Sequence, residues 1–296
     1  MKRYPFLLGF LIFGLVAVLF YAVVVFSFSF AGTGRSFGVS WFSESIGVVE
    51  IVGVIDSSRR ITEQIRDYAE DSGIAGLLVR IDSPGGVVAP TQEIYSELRR
   101  TSAETGIPIV ASLGSTAASG GYYVAAGCDY VVANPGTLTG SIGVIMEFIT
   151  VEGAFEKLGL KSEVIKSGPF KDSGNYARSL TPAEREMLQS TIDSVHEQFV
   201  EAVAAGRGLE PERVREIADG RIYSGAQAIE IGLVDQLGTF YDAVDVLKEK
   251  LDITGKVKLI FPKRKKPDLM DLFLDDVFGR LEQWPGTTPK SRLYYR

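Results

Sequence analysis

Histidine and cysteine are almost absent from this chain, which contains one of each among its 296 residues. Because His196 is the only imidazole, a histidine-rich metal site is nearly excluded, and a Ser-His-Asp triad would have a single candidate base. Because Cys128 is the only thiol, no intrachain disulfide can form, which argues against a fold held together by disulfides. We therefore expect neither a metal nor another cofactor.

An excess of positive charge is also missing. The 31 lysine and arginine residues are outnumbered by 37 aspartate and glutamate residues, and the formal net charge is −6. The chain as a whole is thus a poor candidate for binding nucleic-acid phosphates, and no nucleic-acid partner is expected. Its shares of hydrophobic residues (46%) and charged residues (23%) are those of an ordinary globular protein.

Charged residues are absent from residues 6–26, a run of 21 mostly apolar positions. About 20 such residues span a bilayer, and the preceding Lys2 and Arg3 predict a cytoplasmic N-terminus with the rest of the chain outside. A cleaved signal peptide is the alternative, since residues 29–31 fit a cleavage site, but the run exceeds the roughly 7–15 apolar residues of a signal peptide. We expect residues 1–30 to form a cytoplasmic stub and a transmembrane anchor in the cytoplasmic membrane.

From residue 46 onward, β-branched runs alternate with segments of helical periodicity, which indicates an α/β fold with a largely parallel sheet and flanking helices. Residues 31–45 are assigned to a linker, 46–252 to one folded domain and 253–296 to a C-terminal extension. Strands are predicted at residues 46–55, 74–81, 107–113, 130–133, 139–145 and 163–166, and helices at 60–70, 91–101, 119–126, 181–205, 211–218, 226–231 and 241–251.

The longest predicted helix has a well-defined start. Thr181 is its N-cap, Pro182 its first residue, and Glu184 completes a capping box. An apolar face then recurs to about residue 205, and two glycines are predicted to end the helix: Gly206 and Gly208.

Two glycine-containing loops are candidates for chemistry. In the first, Gly85 and Gly86 follow a buried strand, where exposed backbone N–H groups would suit an oxyanion hole; an ordinary Pro-Gly turn is the alternative. In the second, small residues surround Ser119 at the predicted start of a helix, where the helix dipole favours an oxyanion. The alternative is that Ser119 only caps this helix.

A nucleophilic serine needs a base. His196 lies beside the apolar face of the long helix, which is typical of a helix-surface histidine. A lysine kept uncharged by burial is the other option, because desolvation disfavours the charged amine. Lys171 differs from the chain's other lysines because a loop rich in glycine, proline and serine surrounds it, after the strand predicted at residues 163–166. By itself, this loop position favours the alternative that Lys171 is an ordinary surface lysine.

Five segments stand in a recognisable order and spacing: DSPGG at 82–86, TAASGGYY around Ser119, TLTGSIGV at 137–144, SGPFKDSG around Lys171 and GRIYSGAQAIEIGLVDQLG at 220–238. Together they resemble the signal peptide peptidase A family, the S49 serine peptidases, over about residues 46–251. The likeness is to the short members with one catalytic domain and an N-terminal anchor. Single motifs of this kind recur in Clp protease relatives and in the wider crotonase-like fold.

The resemblance implies a crotonase/Clp-protease-like fold and a Ser-Lys dyad, with Ser119 as nucleophile and Lys171 as general base. It implies an oxyanion hole from the N–H groups of Gly86 and Gly120. Ser141 would orient the Lys171 amine, although a serine at a strand end needs no such role.

The resemblance also implies a homo-oligomer with active sites between subunits, so that Lys171 reaches the Ser119 of a neighbouring chain. The implied substrates are extended, largely apolar peptides such as released signal peptides. Two other functions stay open: a crotonase-fold enzyme acting on acyl-CoA, and a peptidase-like scaffold that binds without cutting. In the extension, the basic run 263–266 is interpreted as solvated rather than lipid-bound. A further hypothesis is that the C-terminal segment occupies a peptide groove.

Overall fold

A computed structural model describes residues 45–262 and the backbone of residues 294 and 295. These residues belong to one compact unit, Glu44–Arg296. The predicted anchor at residues 1–30, nearly all of the linker and the basic run 263–266 lie outside the described residues. Within the described ranges, no helix is both long enough and apolar enough to cross a membrane.

The described residues alternate between strands and helices for most of their length. The strands are β1 (Ser45–Val52), β2 (Ile74–Ser83), β3 (Gly86–Val87), β4 (Ile109–Ala118), β5 (Tyr130–Ala133), β6 (Leu138–Gly140), β7 (Ile222–Ser224), β8 (Gln236–Leu237), β9 (Lys258–Ile260) and β10 (Tyr294–Tyr295). The helices are α1 (Arg59–Glu70), α2 (Val88–Thr105), α3 (Gly120–Ala125), α4 (Glu152–Lys157), α5 (Pro182–Arg207), α6 (Pro211–Ile217), α7 (Gly225–Glu230) and α8 (Phe240–Lys250).

The main sheet has the strand order β7-β6-β4-β2-β1-β9, with β5 paired to β4 and β8 paired to β5. Its pairings are parallel, apart from the antiparallel pair β6–β7. Strand β4 pairs with β5 along its first half and with β6 along its second half, so the sheet forks at β4. The prediction of an α/β fold with a mostly parallel sheet and flanking helices is confirmed.

Both faces of the sheet are covered. Because successive side chains of a strand point to opposite faces, Leu77, Val79 and Ile81 of β2 join the larger core with residues of α1, α2, α3 and α5. Leu78, between them, joins a second core beneath α8. Burial on both faces explains why these strands are continuous apolar runs rather than alternating ones.

Helix α5 begins as predicted. Thr181 Oγ1 accepts a hydrogen bond from the Glu184 N–H at 3.2 Å, and the Glu184 carboxylate accepts one from the Thr181 N–H at 2.9 Å. The prediction that Gly206 stops the helix is wrong. A β-carbon on Gly206 would lie 1.9 Å from the Ala126 carbonyl oxygen, so glycine is needed there for close packing. The helix ends at Gly208, whose φ is +63°.

Two predicted strands have different ends in the structure, and a third predicted strand does not form. Strand β4 continues through Gly114, because the absent side chain leaves room for Asp82, whose Cγ would lie 2.8 Å from a β-carbon there. Strand β6 ends at Gly140 rather than at residue 145. In the described chain, residues 163–166 form no strand: their side chains are exposed, and no pairing with another strand includes them.

Candidate active site

The loop after β2 and the start of α3 pack backbone against backbone. A β-carbon on Gly120 would lie 3.1 Å from the Gly86 nitrogen, and one on Gly86 would lie 2.1 Å from the Ile55 carbonyl oxygen. Strands β2 and β4 are parallel neighbours, with Ser83 opposite Ala117, so both loops leave the same edge of the sheet. The structure therefore brings together the two glycines predicted to form an oxyanion hole.

Ser119 lies at the junction of β4 and α3 with φ +52° and ψ −118°, a backbone conformation that costs an L-residue about 1–3 kcal/mol. Its N–H donates to the Gly140 carbonyl at 2.7 Å. Its side chain makes no capping hydrogen bond to α3, which disfavours the interpretation of Ser119 as a helix cap. The residue is 0% exposed, and its Oγ has no hydrogen-bond partner in the part of the chain that the structure describes.

Buried hydroxyls that lack a partner are rare in native proteins, since each loses its hydrogen bonds to water without replacement. At Ser119 this cost is combined with a strained backbone. Both features are typical of a functional site, where the surrounding structure holds a reactive group in a conformation that it would not otherwise adopt. Ser119 is therefore a candidate functional residue of this chain.

Ser141 lies close to the strand that precedes Ser119, because β6 pairs with the end of β4, with Gly140 opposite Ala118. Its N–H donates to the Arg221 carbonyl at 2.8 Å, and its φ is +50°. Two buried threonine hydroxyls of β6's segment lock the strands together, each donating at 2.7 Å: Thr137 to the Gly114 carbonyl and Thr139 to the Ala117 carbonyl. The TLTGSIGV segment thus fixes Ser141 beside the strand that carries Ser119.

Lys171 is not part of this cluster in the single chain. It is exposed, in a segment of turns, and its backbone N–H donates to the Gly168 carbonyl at 3.3 Å. Its ammonium forms no hydrogen bond or ion pair with any residue in the described ranges, and Ser119 Oγ likewise has no described partner. The burial expected for this lysine is not found within one chain.

His196 has a structural contact of its own. Its Nε2 lies 2.9 Å from the Ala218 carbonyl oxygen, to which it donates, and this bond ties α5 to the end of α6. It forms no hydrogen bond with Ser119. The interpretation of His196 as a residue on the flank of a helix, rather than a catalytic base, agrees with this geometry.

Sequence reasoning missed an ion-pair network behind Lys171. Arg178 donates to the two carboxylate oxygens of Glu184 at 2.6 and 2.8 Å and contacts Asp172, which also accepts a hydrogen bond from Lys166. The Arg178 guanidinium holds the pKa of the Glu184 carboxyl well below its ordinary value, helped by the Thr181 N–H. In the sequence, Glu184 could be recognised only as the third residue of the capping box. No sequence pattern predicted its ion pair with Arg178.

The chain is similar in sequence to a peptidase family and to proteins named as proteases. The sequence pattern of Peptidase family S49 matches residues 101–254. A putative protease of Synechocystis sp. is 49% identical over 68% of this chain and 72% of its own length. A putative signal peptide peptidase SppA of Enterococcus faecium is 41% identical over 75% of this chain, and protease 4 of Salmonella typhi is 35% identical over 73%. The alignments span only 63% and 34% of those two relatives.

Proposed function

The chain belongs to peptidase family S49, and from this premise we propose that it is a membrane-anchored serine endopeptidase with a Ser-Lys dyad. The single observation that carries the proposal is Ser119: a buried serine with a strained backbone and a hydroxyl without a partner, beside Gly86 and Gly120. We further propose that its sheet and flanking helices are of the crotonase/Clp-protease type.

In this mechanism, Ser119 Oγ attacks the carbonyl carbon of the scissile peptide bond while the Lys171 amine takes the hydroxyl proton. The N–H groups of Gly86 and Gly120 stabilise the negative charge that develops on the carbonyl oxygen. The lysine then gives its proton to the leaving amine as the C–N bond breaks. The Lys171 amine then takes a proton from water, which attacks the acyl carbon, and returns that proton to Ser119 Oγ as the bond between the acyl carbon and Oγ breaks. Ser141 orients the lysine by accepting a hydrogen bond from it.

The base comes from a neighbouring copy of the chain in this proposal. Lys171 is exposed in the single chain, and large apolar side chains near it in sequence are exposed as well, including Ile165 at 100%, Leu158 at 71% and Ile149 at 68%. Apolar surface of this kind is typical of interaction sites. It supports a homo-oligomer in which this face covers the Ser119 site of the next subunit and desolvates Lys171.

The proposed substrates are extended peptides, with released signal peptides as the main class. Support comes from strand β10, because Tyr295 pairs with Gly86 and Tyr294 with Val87 in antiparallel register. The edge of β3 therefore accepts an extended chain by adding a strand, a common mode of peptide recognition. The anchor proposed at residues 1–30 would hold the catalytic domain on the outer side of the cytoplasmic membrane, near such peptides.

Covalent labelling tests the nucleophile. A fluorophosphonate should modify Ser119 in the full chain, as located by mass spectrometry of the digested protein. The adduct should persist in Ser115→Ala, which changes an exposed serine of β4, the strand that precedes Ser119, and vanish in Ser119→Ala. A folded wild-type chain without an adduct at Ser119 would contradict the proposal and favour an acyl-CoA enzyme or a non-catalytic scaffold.

The segment that contains Tyr294 and Tyr295 lies at the position proposed for substrate, so we propose that it competes with added peptide. Deleting residues 270–296 should lower the KM for a fluorogenic peptide several-fold while kcat stays the same. An unchanged KM in the shortened chain would show that the segment does not compete.

A further inference from the structure

We infer that Arg178 and Glu184 are positioning residues for Lys171, holding its loop to the rigid core of the domain. The inference rests on the proposed function, since it concerns the base of the proposed dyad. Neither residue is placed to touch substrate. Each acts through the backbone of the loop that carries the lysine.

The loop needs such support because it has no regular structure of its own. Residues 167–180 contain turns and bends but no helix or strand. Two backbone hydrogen bonds near Lys171 are local and long: 3.3 Å from the Lys171 N–H to the Gly168 carbonyl and 3.2 Å from the Ser173 N–H to the Phe170 carbonyl. Turns of this kind do not by themselves fix a side chain to the precision that catalysis requires.

The residue next to Lys171 is held by two cations. The Asp172 carboxylate accepts hydrogen bonds from Lys166 and from Arg178, the latter with its closest contact at 3.0 Å. Arg178 also donates to the Asp172 backbone carbonyl at 3.4 Å. The Arg178 guanidinium thus binds both the side chain and the backbone of Asp172. A displacement of Arg178 should therefore displace the peptide unit beside Lys171.

Arg178 is in turn held by Glu184. The two side chains form a bidentate pair at 2.6 and 2.8 Å, the ion-pair geometry with the best defined distance and angle. Glu184 is 2% exposed, and Ser173 of the lysine loop donates to it at 3.3 Å. The carboxylate therefore binds the loop at two points.

Glu184 does not move freely, because it is the third residue of the 26-residue helix α5 and closes its capping box. The far half of that helix is built into the main core through Phe199, Val200 and Val203. A continuous series of contacts therefore joins the core to Lys171 by way of Glu184, Arg178 and Asp172. In an oligomer, this series would fix how far the lysine extends towards the neighbouring subunit.

A misplaced catalytic group is costly: a shift of about 1 Å can lower a rate by roughly 100-fold. Loss of either partner of the Arg178–Glu184 pair should therefore slow the reaction of Ser119 even in chains that remain folded. Because Arg178→Lys keeps one positive charge but loses the bidentate geometry, it should recover part of the rate that Arg178→Ala loses.

Fluorophosphonate labelling of the full chain can separate positioning from folding. The amplitude of labelling reports the fraction of competent chains, whereas the rate constant reports how well Ser119 is activated. Glu184→Gln and Arg178→Ala should lower the rate constant by at least about tenfold with the amplitude preserved. The matched control is Arg66→Ala, which breaks a similar bidentate pair with the buried Glu97, at 2.8 and 3.0 Å between α1 and α2; its rate constant should stay within about twofold of wild type.

Two results would overturn the inference: a lower amplitude with an unchanged rate constant, which marks a purely structural role, or an equal slowing by Arg66→Ala. Failure of the proposed function is visible separately. In that case Lys171→Ala would react as fast as wild type, whatever the behaviour of Arg178 and Glu184.

Discussion

At the scale of single residues, the candidate site depends on three glycines, which have no side chain to keep neighbouring backbone segments apart. Gly86, Gly120 and Gly121 allow two loops to approach so closely that an added β-carbon would lie within 2.1–3.1 Å of backbone atoms of neighbouring residues. Because these glycines have no side chains, none of their own atoms shields the N–H groups of Gly86 and Gly120 near Ser119. Such fixed dipoles are the main source of oxyanion stabilisation in acyl transfer.

Gly86→Ala should therefore damage both stability and activity. Its β-carbon would meet the Ile55 carbonyl oxygen at 2.1 Å, and a forced backbone shift should cost about 2 kcal/mol or more of the free energy of unfolding. Peptidase activity should fall by about 100-fold or more as the oxyanion donor moves. Gly136→Ala is the control, since no atom lies within 4 Å of its β-carbon. Urea unfolding and peptide turnover measure the two effects; equal behaviour of the two variants would contradict this account.

The residues of the site differ in how far the sequence alone could predict them. The small residues around Ser119 pointed to it directly, but its strained backbone and the missing cap bond are products of the fold. Lys171 was distinguished mainly by resemblance to a family, and the strand predicted before it does not exist. In the proposed assembly, the Ser119 that Lys171 approaches belongs to another chain, and a pattern within one chain does not encode that contact.

At the scale of helices and strands, sequence patterns predicted the structure correctly where they specify a hydrogen bond between residues close in sequence. The capping box of α5 forms as predicted because its partners are three residues apart. Two predicted ends were misplaced at glycines. The strand predicted to end at residue 113 continues through Gly114, and Gly206 lies within α5, since each glycine admits a neighbour that is distant in sequence. The strand predicted at residues 163–166 failed because its apolar residues face no partner strand in the described chain.

The start of α5 should also make stability depend on pH. Arg178 lowers the pKa of Glu184 in the folded chain below its ordinary value of 4.5. The ionised carboxylate therefore stabilises the folded state above that pH, and its contribution is lost as the pH falls through the lower folded value. Glu184→Gln should lower the Tm at pH 7 and lower it less at about pH 3.

Differential scanning calorimetry of the wild type and this variant at both pH values measures the effect. Glu186→Gln, which removes an exposed carboxylate from the same helix, serves as the control and should change the Tm little at either pH. A Tm difference between the wild type and Glu184→Gln that is equal at both pH values would contradict the assignment.

At the scale of the whole molecule, the single chain holds the proposed nucleophile, oxyanion donors and orienting serine together, whereas the proposed base is exposed and makes no hydrogen bond to Ser119 within the described residues. The α/β class and the family were predicted from sequence and are confirmed. The membrane anchor stays a prediction, because residues 1–30 lie outside the described part. Assembly likewise remains a proposal.

Mixing two inactive variants tests assembly directly. If each site takes Ser119 from one chain and Lys171 from the next, equal amounts of Ser119→Ala and Lys171→Ala should regain about a quarter of wild-type activity after random co-assembly into rings. Sites built within one chain would regain none. Co-expression with two different affinity tags, followed by tandem purification and peptide turnover, gives the measurement, and mixing Ser119→Ala with Gly86→Ala is the control that should stay below that level.

The most direct test of the central claim is peptide cleavage by the full chain in detergent, compared with Ser119→Ala, Lys171→Ala and His196→Ala at equal folded concentration. The Ser-Lys account predicts that the first two variants lose about 1,000-fold or more in kcat/KM, while His196→Ala stays within a few-fold because its ring only bridges α5 to the Ala218 carbonyl. A folded His196→Ala without activity, or a Lys171→Ala that still cuts peptide, would contradict it.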